Sequence, residues 1–83
     1  MRTIFEDKDI CITDLEKDYD FIAAIENKTD KTLYVDFMSE DMVDCEDTII
    51  IKPNDWVGIL AEETGYNQLE KLNKGQYYIN LEV

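Results

Sequence analysis

The chain has 83 residues, of which 45% are hydrophobic, and it carries a formal net charge of −12 at pH 7. This length predicts a single domain, residues 1–83, with one modest core and no second lobe to enclose a deep substrate cleft, and the apolar fraction argues against a disordered tail. Twenty acidic residues against eight scattered basic ones argue against direct binding to nucleic acid or to an anionic membrane, because phosphate groups would be repelled.

Apolar and polar residues alternate along most of the chain, which predicts β-strands because side chains two apart lie on the same face of a strand. The segments with this pattern, or with short β-branched runs bounded by turn residues, are 10–13, 20–26, 31–37, 48–52, 56–61 and 76–83. Strands at this spacing, joined by polar turns, are typical of a mainly β fold, a small antiparallel β-sandwich or barrel of about six strands.

A hairpin between the second and third of these strands is the most local pairing that the sequence predicts. Phe21, Ala23 and Ile25 fall on one face of the second strand, which we expect to point inward. The polar residues 27–30 suit a turn. We therefore expect the two strands to pair antiparallel with each other.

One short helix is predicted at about residues 65–73. Tyr66, Leu69 and Leu72 recur at every third residue, as on one face of a helix. Thr64 is suited to cap the beginning of this helix, and Gly75 follows its end.

Segments 25–35, 42–44 and 51–55 follow the order strand, Glu-Asn-polar turn, strand, loop, strand and turn. In this order the central part of the chain resembles small immunoglobulin-like β-sandwich domains of uncharacterised bacterial proteins. The chain departs from this pattern at Asn54 and Asp55, where such domains tend to carry glycine. The resemblance implies a sandwich fold and does not imply an activity.

Four acidic residues recur at every second position, as in the early part of a calcium-binding loop: Asp14, Glu16, Asp18 and Asp20. However, Tyr19 stands where such a loop needs its glycine, and Ile25 stands where it needs its closing glutamate. Zinc ligand sets are not available either, since the chain has no histidine and only two cysteines. The sequence therefore predicts no metal ion and no other cofactor.

Cys45 is surrounded in the sequence by five carboxylates within residues 39–47. A reactive thiolate needs a nearby cation, a histidine or a helix N-terminus, whereas acidic neighbours disfavour a second anion. No histidine is present to activate a cysteine or serine, and no glycine-rich phosphate loop accompanies the acidic residues. We therefore predict that the protein is not an enzyme and has no catalytic residues.

The first residues contain no apolar run of signal-peptide length, which predicts a cytoplasmic protein. In that compartment Cys11 and Cys45 are expected to be free thiols, whereas export would favour their pairing.

The acidic residues are concentrated in segments 6–20 and 36–47, whose net charges are −5 and −6. Side chains two apart on a strand are separated by about 6.6 Å, similar in scale to successive phosphates of one nucleic-acid strand. If the two segments are adjacent, they form one negative surface suited to a basic protein partner. The predicted partner-binding residues are Asp36, Glu40, Asp41, Asp44, Glu46 and Asp47, supported by Asp14, Glu16, Asp18 and Asp20.

Two functions remain open at this point. The first is a non-enzymatic charge mimic of the physical type of acidic nucleic-acid-mimic inhibitors, including phage anti-CRISPR proteins that disarm bacterial nucleases; Tyr34 and Tyr78, on predicted outward faces, are its aromatic contact candidates. The second is an immunoglobulin-like structural or adhesion module whose acidity serves solubility. In either case an unpaired edge strand can support a homodimer.

Overall fold

The computed structural model describes residues 1–18 and 20–82, apart from the side chains of Lys17 and Asp18. The elements in this part of the chain are β1 (Arg2–Glu6), β2 (Ile10–Asp18), β3 (Phe21–Asn27), β4 (Leu33–Met38), β5 (Cys45–Ile51), β6 (Trp56–Leu60), α1 (Glu63–Lys74) and β7 (Tyr77–Leu81). The strands form two antiparallel sheets, with the orders β1-β2-β3-β6 and β5-β4-β7. The predicted mainly β antiparallel fold with one short helix is thus confirmed.

The described strands number seven, and β1 has no counterpart among the six predicted segments. Its five residues remain largely exposed, with only Ile4 partly buried against the core, so its apolar pattern is weak. β1 forms because its backbone pairs with β2. Cross-strand hydrogen bonds therefore stabilise a strand whose own side chains contribute little burial.

The two sheets face each other across a common apolar core. Leu33, Val35 and Phe37 of β4 are fully buried, as their alternation predicts. Ile12 and Ile25 contribute from the other sheet and are also fully buried. Burial of such side chains contributes about 1.5–3 kcal/mol each, which makes this shared layer the main stabilising feature of the fold.

The predicted hairpin between β3 and β4 is wrong. β3 pairs with β2 and β6, whereas β4 pairs with β5 and β7. The chain between them crosses from one sheet to the other, guided by the fully buried side chain of Asn27. Its Nδ2 donates to the carbonyl oxygens of Lys31, Ile51 and Lys52 at 2.7, 3.1 and 3.1 Å, and its Oδ1 accepts from Thr29. The β5–β6 connection, which holds Lys52, also passes from one sheet to the other. The side-chain amide of Asn27 thus joins the β3–β4 crossing to the β5–β6 crossing.

Phe21 does not point inward as predicted. The β3–β6 register shifts between Phe21 and Ala23, which makes Ile22 an extra residue, a β-bulge. Ile22 takes the buried position, and the ring of Phe21 covers Gly58 on the outer face, where a Cβ atom would overlap it. The rings of Phe21 and Trp56 meet edge to face, with their centroids 6.2 Å apart and an angle of 79° between their planes. Because of this one extra residue, Ile22 faces the core and Phe21 faces outward at the start of β3.

Helix α1 closes one end of the sandwich. β6 enters this end at Leu60 and β7 leaves it at Tyr77, and the same end carries the β2–β3 turn and the β4–β5 loop, residues 39–44. Gly65 lies against the backbone of Leu60 so closely that a Cβ atom would overlap its carbonyl oxygen. We call this end the helix end; it is made of α1, the start of β1, the second half of β2, the β2–β3 turn, the β4–β5 loop and the first residues of β5. The opposite end, with the β3–β4 and β5–β6 crossings, is the far end.

The helix is longer than predicted and its beginning differs. Its N-cap residue is Glu62, which makes no side-chain capping bond, so the predicted cap residue Thr64 lies within the first turn. Glu63 in that turn interacts favourably with the positive end of the helix dipole. Gly75 ends the helix as predicted, in the left-handed conformation with φ 71°. At 12 residues, α1 is too short to span a membrane. Among the described residues, no helix is both long enough and apolar enough to do so.

Candidate functional site

The β4–β5 loop contains one acidic residue that shapes the backbone and two that remain free. The hydroxyl of Ser39 and the backbone N–H of Val43 both donate to Oδ1 of Asp41, the latter at 3.1 Å. These two donors lower the pKa of Asp41, the hydroxyl having the larger effect. The carboxylates of Glu40 and Asp44 are exposed and contact no described donor. Within this loop, Glu40 and Asp44 are therefore the carboxylates that no described hydrogen-bond donor of the chain occupies.

Two carboxylates at the beginning of β5 attach this sheet to α1. Lys71 Nζ donates to Glu46 Oε1 at 2.8 Å and also to the carbonyl oxygen of Met38. Gln68 Nε2 donates to Asp47 Oδ2 at 2.6 Å. Glu46 and Asp47 were predicted as partner-binding residues, and the structure gives them intramolecular contacts that position the helix.

A cleft of about 600 Å³ lies between α1 and the β4–β5 loop. Its lining includes four carboxylates and only two basic side chains, Lys71 and Lys74. Lys74 Nζ donates to Glu70 Oε1 at 2.7 Å, and this hydrogen bond raises the pKa of Lys74 and lowers that of Glu70. Because both bases are already paired with carboxylates, the cleft keeps an excess of negative charge.

The β2–β3 side of the helix end is joined to α1 through Arg2. Arg2 Nη2 donates to Asp14 Oδ2 at 3.2 Å and to Asn73 Oδ1 at 2.8 Å. Asp14 Oδ1 also accepts the backbone N–H of Glu16 at 2.8 Å, where the chain bends with φ 55°. This bend interrupts the every-second-residue pattern of carboxylates. Asp20 is exposed, and no described donor contacts its side chain.

The structure brings nine of the ten predicted partner-binding residues to the helix end: Asp14, Glu16, Asp18, Asp20, Glu40, Asp41, Asp44, Glu46 and Asp47. The side chain of Asp18 lies outside the described part of the chain. Helix α1 runs between the carboxylates of β2 and the β2–β3 turn, which it reaches through Arg2, and those of the β4–β5 loop and early β5, two of which it contacts directly. Only the second half of segment 6–20 thus lies near α1 together with the β4–β5 carboxylates, while Glu6, Asp7 and Asp9 lie at the far end.

Asp36, the tenth residue, lies on the outer face of the β5-β4-β7 sheet. Thr48 Oγ1 donates to its Oδ1 at 2.9 Å, and Asn80 Nδ2 donates to its Oδ2 at 2.7 Å. Tyr34 and Tyr78 lie on the same face, and Tyr78 is 49% exposed. The outward orientation predicted for both tyrosines is confirmed.

Three further acidic residues at the helix end were missed by sequence reasoning: Glu62, Glu63 and Glu70. They lie outside the two acidic segments, and only the position of α1 brings them close. The described basic side chains at this end, Arg2, Lys71 and Lys74, are each within 3.2 Å of a carboxylate oxygen. An amphipathic reading of the helix would have identified Glu70 on its polar face.

Both cysteines are free thiols, with Cys45 exposed and Cys11 partly buried. Cys45 Sγ donates to the carbonyl oxygen of Asp47 at 3.4 Å. Across the described residues, no group of three or more acidic, cysteine or histidine side chains is arranged to hold a metal ion. Comparison with known protein families, with curated proteins and with solved structures found no match.

Proposed function

We propose that this chain is a non-enzymatic, cytoplasmic binding protein whose helix end engages a basic protein surface that otherwise holds nucleic acid. The observation that supports the proposal is an imbalance of charge at one end of the sandwich. Carboxylates from the β2–β3 turn, the β4–β5 loop and α1 meet there, while every described base is already paired with one. Asp20, Glu40 and Asp44 keep their exposed charges available for a basic partner.

Salt determines how far these charges act together. The screening length is about 8 Å at physiological ionic strength and about 30 Å at 0.01 M. The two acidic groups are separated by α1, and a helix with its side chains is about 10 Å wide. At low salt the groups therefore act on an approaching partner as one field, and at physiological salt they act more separately. Such a field mainly speeds encounter and sets orientation, while apolar contacts lengthen the lifetime of the complex.

Removing the three free charges should slow association with the partner. The triple variant Asp20→Asn, Glu40→Gln and Asp44→Asn keeps every described hydrogen bond at the helix end. We expect its association rate constant with a basic protein recovered by using this chain as bait to fall about tenfold at low salt. The slope of that rate constant against ionic strength should also become flatter.

The matched control removes three exposed charges at the far end through Asp30→Asn, Asp55→Asn and Glu82→Gln. It changes the net charge equally and should reduce the association rate constant much less. Equal rate constants for the wild type and the helix-end variant, or equal losses in both variants, would contradict a localised interface.

The alternative function is a structural or adhesion module, which the two-sheet sandwich architecture favours. In that case the acidic residues would serve solubility, since net charge keeps molecules apart regardless of its position. Both triple variants should then lose solubility to the same extent and neither should lose a partner. The same pair of variants therefore separates the two functions.

A further inference from the structure

The outer face of the β5-β4-β7 sheet combines a central carboxylate with exposed apolar and aromatic side chains. Cross-strand pairing arranges the six outward side chains in two rows: Ile50, Tyr34 and Asn80 in one, and Thr48, Asp36 and Tyr78 in the other. Because β4 is the middle strand, Asp36 has a neighbour on each side. Ile50 and Tyr78 are 60% and 49% exposed, which leaves an apolar surface on either side of the carboxylate.

Asp36 is held in a fixed orientation without being neutralised. Thr48 and Asn80 each donate to a different carboxylate oxygen, at 2.9 and 2.7 Å. Each oxygen keeps a second lone pair for another donor. No basic side chain in the described part of the chain pairs with this carboxylate. An oriented carboxylate with both oxygens available suits the paired N–H groups of a guanidinium.

The aromatic neighbours favour the same kind of ligand. Tyr78 is directly opposite Asp36 on β7, and Tyr34 is two residues before it on β4. Tyrosine ring faces attract cations, and the apolar stem of an arginine packs well on an exposed surface such as that of Ile50. An anionic ligand, or a second copy of this chain, would be repelled by the net charge of −12.

We infer that this face is the anchor site of the interface and takes an arginine side chain of the basic partner, with its guanidinium on Asp36. The inference rests on the proposed function, which supplies a basic partner. The β4–β5 loop begins three residues after Asp36, about 10 Å away along the strand. A partner seated on this face therefore lies beside the carboxylates of Glu40 and Asp44. An aromatic and apolar centre with a charged border is the usual anatomy of a protein interface.

The test uses a defined probe and amide chemical shifts of the isotope-labelled full chain at low salt. The probe is the capped tripeptide Gly-Arg-Gly, compared with the same peptide carrying citrulline, an uncharged arginine isostere. We expect the arginine peptide to shift the amides of β4, β5 and β7 around Asp36 and the citrulline peptide to leave them unchanged. Asp36→Asn should weaken binding about fivefold and Tyr78→Ala about threefold.

Asp30→Asn, which removes an exposed charge at the far end, is the control and should bind the probe as the wild type does. Thermal unfolding of each variant verifies that the fold is retained. Shifts confined to the β4–β5 loop and unaffected by Asp36→Asn would overturn the anchor site and leave the proposed function standing. Shifts spread evenly over all exposed carboxylates, or no shifts at all, would also overturn it.

A dependence of the same amide shifts on protein concentration alone would identify a second copy of the chain as the occupant and would overturn the inference. Failure of the proposed function has a different signature. In that case the arginine peptide still binds at Asp36, while the helix-end and far-end triple variants associate with the recovered protein at the same rate.

Discussion

Replacing Asn27 with alanine is expected to lower the free energy of unfolding by about 3 kcal/mol, because it removes three hydrogen bonds and leaves the buried carbonyl oxygen of Ile51 without the donor Nδ2. The side chain is 0% exposed and donates to three carbonyl oxygens on both crossings between the sheets. A domain of this size is stabilised by roughly 4–12 kcal/mol in total, so the loss is a large fraction. Urea unfolding followed by circular dichroism measures it.

Two further variants sharpen this test. Asn27→Asp keeps the shape of the side chain but replaces the Nδ2 donor with a carboxylate oxygen, which faces the three carbonyl oxygens without a hydrogen to share. This variant should destabilise the protein at least as much as alanine does. Asn67→Ala removes an exposed amide from α1 and should change the free energy of unfolding by no more than about 0.5 kcal/mol. Similar values for the variants at positions 27 and 67 would show that the buried amide does not join the crossings.

Replacing Gly65 with alanine is expected to destabilise the protein by about 3 kcal/mol, the opposite of the usual effect of this substitution in a helix. At an exposed helical position alanine would stabilise by about 1 kcal/mol through its higher propensity. Here the new Cβ atom would overlap the carbonyl oxygen of Leu60, which is backbone and cannot rotate away. Helix α1 must then move away from β6, which weakens its hydrogen bonds to Glu46 and Asp47 on one side and to Arg2 on the other.

Gly75→Ala provides the comparison, since a Cβ atom there meets no neighbour within 4 Å. Its only penalty is the left-handed backbone, about 1 kcal/mol. Thermal unfolding of the two variants should therefore give a much larger decrease for Gly65→Ala. A Gly65→Ala protein as stable as the wild type would contradict the close packing of α1 on β6.

Local patterns predicted the faces of several strands and the end of the helix. In β4, the alternation of Leu33, Val35 and Phe37 survives because both neighbouring strands pair with it over its central residues in regular register. Gly75 is equally local, since the left-handed conformation that ends a helix is a property of one residue.

Long-range contacts decided the features that the sequence did not predict. The bulge that exchanges Phe21 and Ile22 arises in pairing with β6, far along the chain. Asn27 reaches Ile51 and Lys52, 24 and 25 residues away, and a polar turn has the same composition whether it forms a hairpin or a crossing.

At the helix end, the identity of the acidic residues was readable from the sequence but their individual roles were not. Asp41, Glu46 and Asp47 all belong to the same acidic run, yet each accepts a hydrogen bond from within the chain. Two of these donors come from α1, whose position depends on the packing of Gly65. Only the folded chain therefore distinguishes carboxylates that hold the structure from those, such as Glu40 and Asp44, that remain free.

Competition with nucleic acid is the most direct measurement of charge mimicry. Fluorescently labelled duplex DNA or RNA is bound to the basic protein recovered with this chain as bait, and displacement is followed by fluorescence anisotropy at fixed ionic strength. We expect the wild type to release the labelled nucleic acid, the far-end triple variant to do so equally well, and the helix-end triple variant to require about tenfold more protein. Simultaneous binding of this chain and the nucleic acid to the recovered protein would contradict the proposal.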